Sequence, residues 1–323
     1  MFFTHAAECH KFFTDNVNDN VLQIERVPEL NSNHEEADTR LILHAQHACI
    51  THSKVTIRSP DTDVFILMLA HKTEIRSLLI FDTGSGNNRR LIDINKVYEQ
   101  LGSRLCNALI GFHDFTGCDS TSSFHGKGKV TSLKALDDCP DLYESFARFG
   151  CCFTPDSALV NALEVFVCHL YKQLTMDRVD EARFKIFSLR KYADQMPFTK
   201  DALNKHIQRS VYQAAIWKNA LNATVECPNI TNHGWLVDDK GNVSIDWMDL
   251  PPAPDGILQN IECSCKKGCA SNRCACVKAN LSCTSLCKCI DCINGKENRD
   301  ELSDSEEDSE GEEDSDNELC FPR

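Results

Sequence analysis

Long apolar runs are missing from this sequence. No stretch of its 323 residues reaches the roughly 18 uninterrupted apolar positions that a bilayer-crossing helix needs, so no membrane span is expected. The opening residues Met1-Phe2-Phe3-Thr4-His5 run into Glu8, His10 and Lys11 without the basic start and apolar stretch of a secretory leader. The thiols are therefore expected to meet a reducing compartment, where CxC and CxxC clusters bind metal more often than they oxidise. The twelve histidines contain no HExxH and read as mostly structural. Nor is there a nucleophile elbow. Cys118, His113 and Asp114 assemble a hydrolase on paper, but no paired signature supports one. No internal repeat is found.

Charge is unevenly spread. The formal net charge is −14, yet Glu297 to Leu319 alone holds thirteen acids against the single base Arg299, a net of −12. The body of the chain is close to neutral. The acidic run has too few apolar residues to bury a core, so 295–323 is expected to be a disordered tail. Ser303, Ser305, Ser309 and Ser315 each have an acid three residues on, which suits an acidophilic kinase, although composition alone also produces that pattern. A chromatin or protein partner is expected for the tail, as is competition with nucleic acid for a basic surface.

What is abundant is cysteine. Nine of the 19 fall between Cys263 and Cys292, and the other ten, including Cys151-Cys152, read as ordinary buried thiols. Tetrahedral zinc takes four ligands. Nine thiolates fill two such sites with one left over, or three sites if three of them bridge. The loops between them carry Lys266, Lys267, Arg273, Lys278 and Lys288 against the single acid Asp291, so the surface there is basic. The spacing C-x-C-K-K-x-C-x4-C-x-C-x6-C-x3-C-x-C-x2-C, followed by Asn294, resembles the CXC module of the tesmin/TSO1 family. That resemblance implies a nuclear protein, three zinc ions on Cys263, Cys265, Cys269, Cys274, Cys276, Cys283, Cys287, Cys289 and Cys292, and contact with DNA through Lys266, Lys267, Arg273 and Lys278. Arg273 stands where the family carries tyrosine. Arginine can still enter a narrow minor groove or pair with phosphate. The bland alternative is a zinc-stapled protein-protein module.

Taken in order, residues 1–34 are poorly patterned, with no identifiable opening strand. A helix is expected from about Glu35 to Gln46, a strand at Lys54–Arg58, a helix over Val64–Ala70, and a second strand at Ser77–Phe81. The turn Thr83–Asn88 returns the chain through Arg90–Ile94 into the helix Asn95–Leu101, and another helix runs from Gly102 to about His113. This alternation predicts an α/β domain with a mainly parallel sheet over 35–136. Residues 137–224 read as an α-helical extension, with helices at Asp156–Lys172, Asp180–Lys191 and Thr199–Leu221. An extended connector is expected over 225–262, the zinc module over 263–294 and the tail beyond it.

Within the α/β part, carboxylates stand out by position. Asp61 and Asp63 lie two apart at a strand end, where alternate side chains share a face. Glu35 and Asp38 share a face of a regular helix, whereas Glu36 and Asp38 diverge on it. Asp119 follows Gly117 in a turn. Clustered acids repel unless hard cations neutralise them, which is the design of a two-metal phosphodiester site with Mg²⁺ or Mn²⁺. EEADTRLILHA, SPDTDVFIL and LIGFHDFTGCDSTSSFHGKGKV resemble, in order and spacing, three segments of flap endonuclease and xeroderma pigmentosum G-type nucleases, a PIN-like fold. The resemblance implies metal ligands at Glu36, Asp38, Asp61, Asp63 and Asp119, with Glu35 retained as the helical alternative, and a backbone grip on DNA at Gly126, Lys127, Gly128 and Lys129. The family's first strand and first aspartates have no counterpart here. The expected domain is therefore partial, as in a truncated or transposon-derived gene product, and the expected protein is a nuclear, zinc-containing DNA binder with a degenerate nuclease domain. An active metal-dependent nuclease is the alternative.

Overall fold

The computed structural model describes residues 2–5, 7–15, 18–188, 196–253, 261–266, 268–284, 286–290 and 292–294. The acidic run and Lys267, both singled out above, lie outside the described residues.

The first surprise is at the N-terminus. Phe2–His5 (β1), Glu8–Asp15 (β2) and Asn18–Arg26 (β3) form an antiparallel meander ordered β1-β2-β3. A strand announces itself in sequence when one face must be buried. In β3, Leu22 and Ile24 are both exposed, so alternation there does not report burial. The meander is tied down by Cys9, which is buried with Val27, Leu30 and Leu43.

Leu43 belongs to α1, Ala37–Ala48, which precedes the three-stranded sheet β4-β5-β6. In β4, Lys54–Arg58, burial alternates, with Val55 and Ile57 pointing inward. It pairs in parallel with β5, Leu78–Thr83, in the register Val55↔Leu79 and Ile57↔Phe81. Between them runs α2, Thr62–Ala70, with Val64 to Leu69 all buried, as its unbroken apolar sequence demands. The third strand, β6 at Arg90–Asp93, is antiparallel to β5. The mainly parallel sheet expected from sequence is thus one parallel and one antiparallel pair. The link from Thr83 to Arg90 is too short for a parallel crossover, which needs a dozen residues or more. It closes tightly at Gly84, whose φ is +73° and where a Cβ would sit 2.3 Å from the Asn88 carbonyl oxygen.

Asp93 caps α3, Ile94–Thr116, through the amides of Asn95 and Lys96. Gly102, with φ 77° and ψ 157°, breaks its helical geometry and divides it where the sequence placed a boundary. Its second half is buried nearly all round from Cys106 to Thr116 and forms the spine of the helical layer. Around it lie α4 (Lys129–Asp137), α5 (Leu142–Arg148), α6 (Ser157–Leu170), α7 (Val179–Ser188) and α8 (Lys200–Lys218). Phe115 contacts Phe124, Phe146, Phe149 and Phe166 with ring centroids 5.4–6.0 Å apart. Gly111 lets α5 approach α3, because a Cβ there would meet the Phe149 side chain at 2.3 Å.

The stretch after α8, expected to be an extended connector, contains a hairpin of β7 (Trp235–Val237) and β8 (Val243–Ile245) fastened to α8. Arg209 donates to the carbonyls of Gly234 at 3.0 Å and Asp246 at 2.9 Å. Lys205 pairs with Asp246 at 2.6 Å and Asp249 at 3.0 Å. A single-turn helix, α9 at Ala275–Lys278, lies inside the cysteine-rich segment. No helix among the described residues is long and apolar enough to cross a membrane.

Candidate metal centres

The cysteine-rich segment has almost no hydrocarbon core. Its buried cluster consists of Cys263, Cys269, Cys274, Cys276, Cys287 and Cys289, flanked by Cys265, Cys283, Cys292, Ile261 and Val277. Backbone bonds hold the loops over it: Lys288 N donates to Cys263 O at 2.8 Å, Ile290 N to Cys265 O at 3.0 Å, and Cys283 N to Asn294 O at 2.9 Å.

Three groups of four thiols converge, each with its sulfurs within 4.8 Å of one another: Cys263, Cys269, Cys274 and Cys283; Cys263, Cys276, Cys283 and Cys287; Cys269, Cys283, Cys289 and Cys292. Sulfur separations include 3.8 Å for Cys263 and Cys269, 3.7 Å for Cys263 and Cys283, and 3.4 Å for Cys276 and Cys287. A zinc-sulfur tetrahedron with bonds of about 2.3 Å has edges of about 3.8 Å, so the residues present fit zinc. Cys265 joins the first group through the thiols of Cys269, Cys263 and Cys274. Burial and thiol neighbours push Cys276 up to about 12 and Cys289 to about 11. Against the same burial, the amides of Val277 and Cys276 and the neighbouring thiols draw Cys274 down to about 6. So close a set of sulfurs does not ionise together without a cation among them.

Lys266, Arg273, Lys278 and Lys288 are exposed around this cluster. Lys266 and Arg273 line an open groove of about 530 Å³, together with Glu262, Ser264 and Ser271.

A second group of acids lies in the α/β domain. Oxygens of Asp38, Asp61 and Asp63 lie within 4.8 Å of one another. Two helix starts bring them together, rather than the strand alternation and helical spacing argued from sequence. Asp61, extended at φ −84° and ψ 132°, caps α2 by accepting from Asp63 N at 2.9 Å. Glu36 is the extended N-cap of α1, outside the helix, so the rule that Glu36 and Asp38 diverge does not apply. Its carboxylate accepts from Gln213 Nε2 and Trp217 Nε1, both at 2.7 Å. Burial first, then Asp61, Asp63, Glu36 and Asp119, push Asp38 up to about 6. Glu35 is exposed and stands instead beside Tyr212 and Cys227, whose ionisation it disfavours. Asp119 is exposed on its turn.

Sequence reasoning missed what holds these acids in place. His113 Nε2 lies 2.8 Å from Asp63 Oδ1, and its ring stacks on Trp217 at 6.0 Å. Burial keeps this imidazole below its ordinary range, so it is neutral at pH 7 and donates to Asp63. The signal was present: a His-Asp pair inside an otherwise apolar helix has to be bonded to something. Cys118 donates to Asp114 at 3.3 Å, and burial and Asp114 lift that thiol to about 12, which removes the paper hydrolase.

The glycine-lysine stretch is also placed differently from a backbone grip. Lys129 turns inward and donates to His113 O at 2.7 Å, Thr116 Oγ1 at 2.8 Å and Gly117 O, closing the C-terminus of α3. Burial draws its ammonium down to about 8. Lys127 sits over the Tyr171 ring at 5.1 Å. Gly126, with φ +65°, and Gly128, the N-cap of α4, have open space around them. Of the other cysteines, Cys9, Cys106 and Cys168 are buried as expected, but Cys151, Cys152 and Cys227 are exposed.

No family model matches the chain. No solved structure matches it. Among characterised proteins, the Protein lin-54 homolog of Drosophila melanogaster is 39% identical over 59 residues, which is 18% of this chain and 6% of that protein. The shared stretch is therefore short on both sides, and nothing in these comparisons points to a nuclease.

Proposed function

We propose that the chain is a zinc-containing DNA-binding protein whose contacts with DNA are made by the module from Cys263 to Cys292. The observation that carries this reading is the interlocking of the thiol groups. With Cys265 in place of Cys283 in the first group, Cys263, Cys265, Cys269 and Cys274 take one ion; Cys263, Cys276, Cys283 and Cys287 take a second; Cys269, Cys283, Cys289 and Cys292 take a third. Cys263, Cys269 and Cys283 then bridge, and all nine thiolates are used. Zinc supplies the cross-links that replace a hydrophobic core in so small a segment. The likeness to the lin-54 homolog supports the same reading. Lys266, Arg273, Lys278 and Lys288 neutralise phosphates, with nuclear DNA as the partner. Binding of this kind is steeply salt-dependent. The test is duplex binding by the zinc-loaded full chain, with and without a chelator. Binding of about three zinc ions per chain and loss of DNA affinity on chelation support the reading. DNA affinity that persists after complete zinc removal sinks it.

A second reading rests on the acids. Asp38, Asp61 and Asp63 are held close enough to take one hard cation, and the repulsion of Asp61 and Asp63 adds to burial in raising Asp38. A bound Mg²⁺ or Mn²⁺ would position water for phosphodiester hydrolysis. Asp63 is kept in place by His113, and Glu36 by Gln213 and Trp217. Cleavage of labelled single-stranded, flap and duplex DNA in Mn²⁺, lost in Asp61→Asn/Asp63→Asn at equal zinc content, would establish a nuclease. Binding without cleavage in both proteins leaves the zinc module as the working part.

A further inference from the structure

The groove beside the cysteine cluster carries two cations against the single acid Glu262, and the chain carries a strongly acidic run. Lys266 and Arg273 line the groove together with the hydroxyl-bearing Ser264 and Ser271. Among the described residues, none of Lys266, Arg273, Lys278 or Lys288 is taken up in an ion pair. The run from Glu297 to Leu319 brings a net charge of −12.

Covalent geometry puts the two close together. Asn294 Nδ2 lies 3.4 Å from Cys283 Sγ. That sulfur is 3.7 Å from Cys263 and 3.8 Å from Cys274, two of the residues lining the groove. Glu297 is three residues further on, a distance the backbone spans in at most about 11 Å. An anion tethered at that range meets the groove at an effective concentration of about a millimolar or more.

We infer that the acidic run 297–319 is an intramolecular ligand of the groove at Lys266 and Arg273, and that it competes there with nucleic acid. The competition rests on the DNA-binding reading above. The docking does not. Occupancy of the groove is set by ionic strength, because both ligands are read as charge. Phosphate on Ser303, Ser305, Ser309 or Ser315 would add charge to the run and strengthen its hold.

The test uses the zinc-loaded full chain and a version in which the thirteen acids of the run are replaced by Asn and Gln. Two measurements are made on each. The first is affinity for a labelled mixed-sequence duplex from low to high salt. The neutralised chain is expected to bind about tenfold more tightly at low salt, with the gap closing as salt rises. Equal affinities that are both measurable overturn the competition and leave DNA binding standing. No DNA binding by either chain removes the DNA reading instead. The second measurement is binding of a fluorescent peptide of sequence 297–319. It is expected to bind the neutralised chain, to bind the parent at least tenfold more weakly, and to lose the neutralised chain on Lys266→Glu/Arg273→Glu. Failure of the peptide to bind, or binding indifferent to that double substitution, overturns the docking whatever DNA does.

Discussion

Asp38 sits in an environment at odds with its chemistry. Burial and four neighbouring acids raise it to about 6. A carboxyl group with its folded value above its unfolded one stabilises the fold fully below about 3.8, and that contribution is lost as pH rises through about 6. Carboxyl NMR of the metal-free chain should therefore show Asp38 titrating near 6. Both Asp61→Asn and addition of Mg²⁺ should move the midpoint down; an unmoved midpoint would mean that the acids do not share one field. Lys129 makes the opposite case, a cation that looks functional in sequence and is structural in space. Lys129→Met strips the α3 terminus of its donor and should cost about 1–3 kcal/mol, seen as a lower thermal midpoint. DNA affinity should be unchanged, and a matching loss of affinity and salt slope would show that the ammonium reaches phosphate. The convergence of the cysteines could be expected from sequence because their spacing is what brings the thiols together. For His113 the sequence signals only that a partner is needed, and Gln213 and Trp217 give no signal at all, since their partners Asp63 and Glu36 lie 50, 177 and 181 residues away.

Elements were legible in proportion to how completely one face is buried. The apolar run of α2 and the alternation of β4 declare themselves, and α6 and α8 follow their expected bounds closely. The meander at the N-terminus and the short α5 do not, because β3 has exposed apolar residues and α5 is too brief to show a period. Where helices meet, a single glycine sets the spacing. At Gly111, an added methyl would collide with Phe149 at 2.3 Å and with the Phe146 carbonyl oxygen at 2.6 Å. Gly111→Ala should therefore cost about 1–3 kcal/mol by forcing α3 and α5 apart. Chemical denaturation checks this, and a midpoint equal to the parent's would mean that the contact yields without strain.

At the scale of the molecule, two kinds of interior coexist. The α/β body is held by a continuous apolar core running from Ile42 to Ala220, and the zinc module by its sulfurs, with no residue common to the two clusters. Chelation should accordingly unfold the module while the body keeps its thermal transition within a few degrees. A body that melts with the module would show a dependence the packing does not contain. The bridging places of Cys263, Cys269 and Cys283, each shared by two of the proposed sites, have a further consequence. A sulfur held in common makes each ion's binding contingent on the others, so partly filled states are penalised and loading becomes cooperative. Native mass spectrometry during zinc titration should then pass from the empty chain to the fully loaded one with scant population between. By the same logic, oxidation of any one of those three thiols would loosen two ions at once.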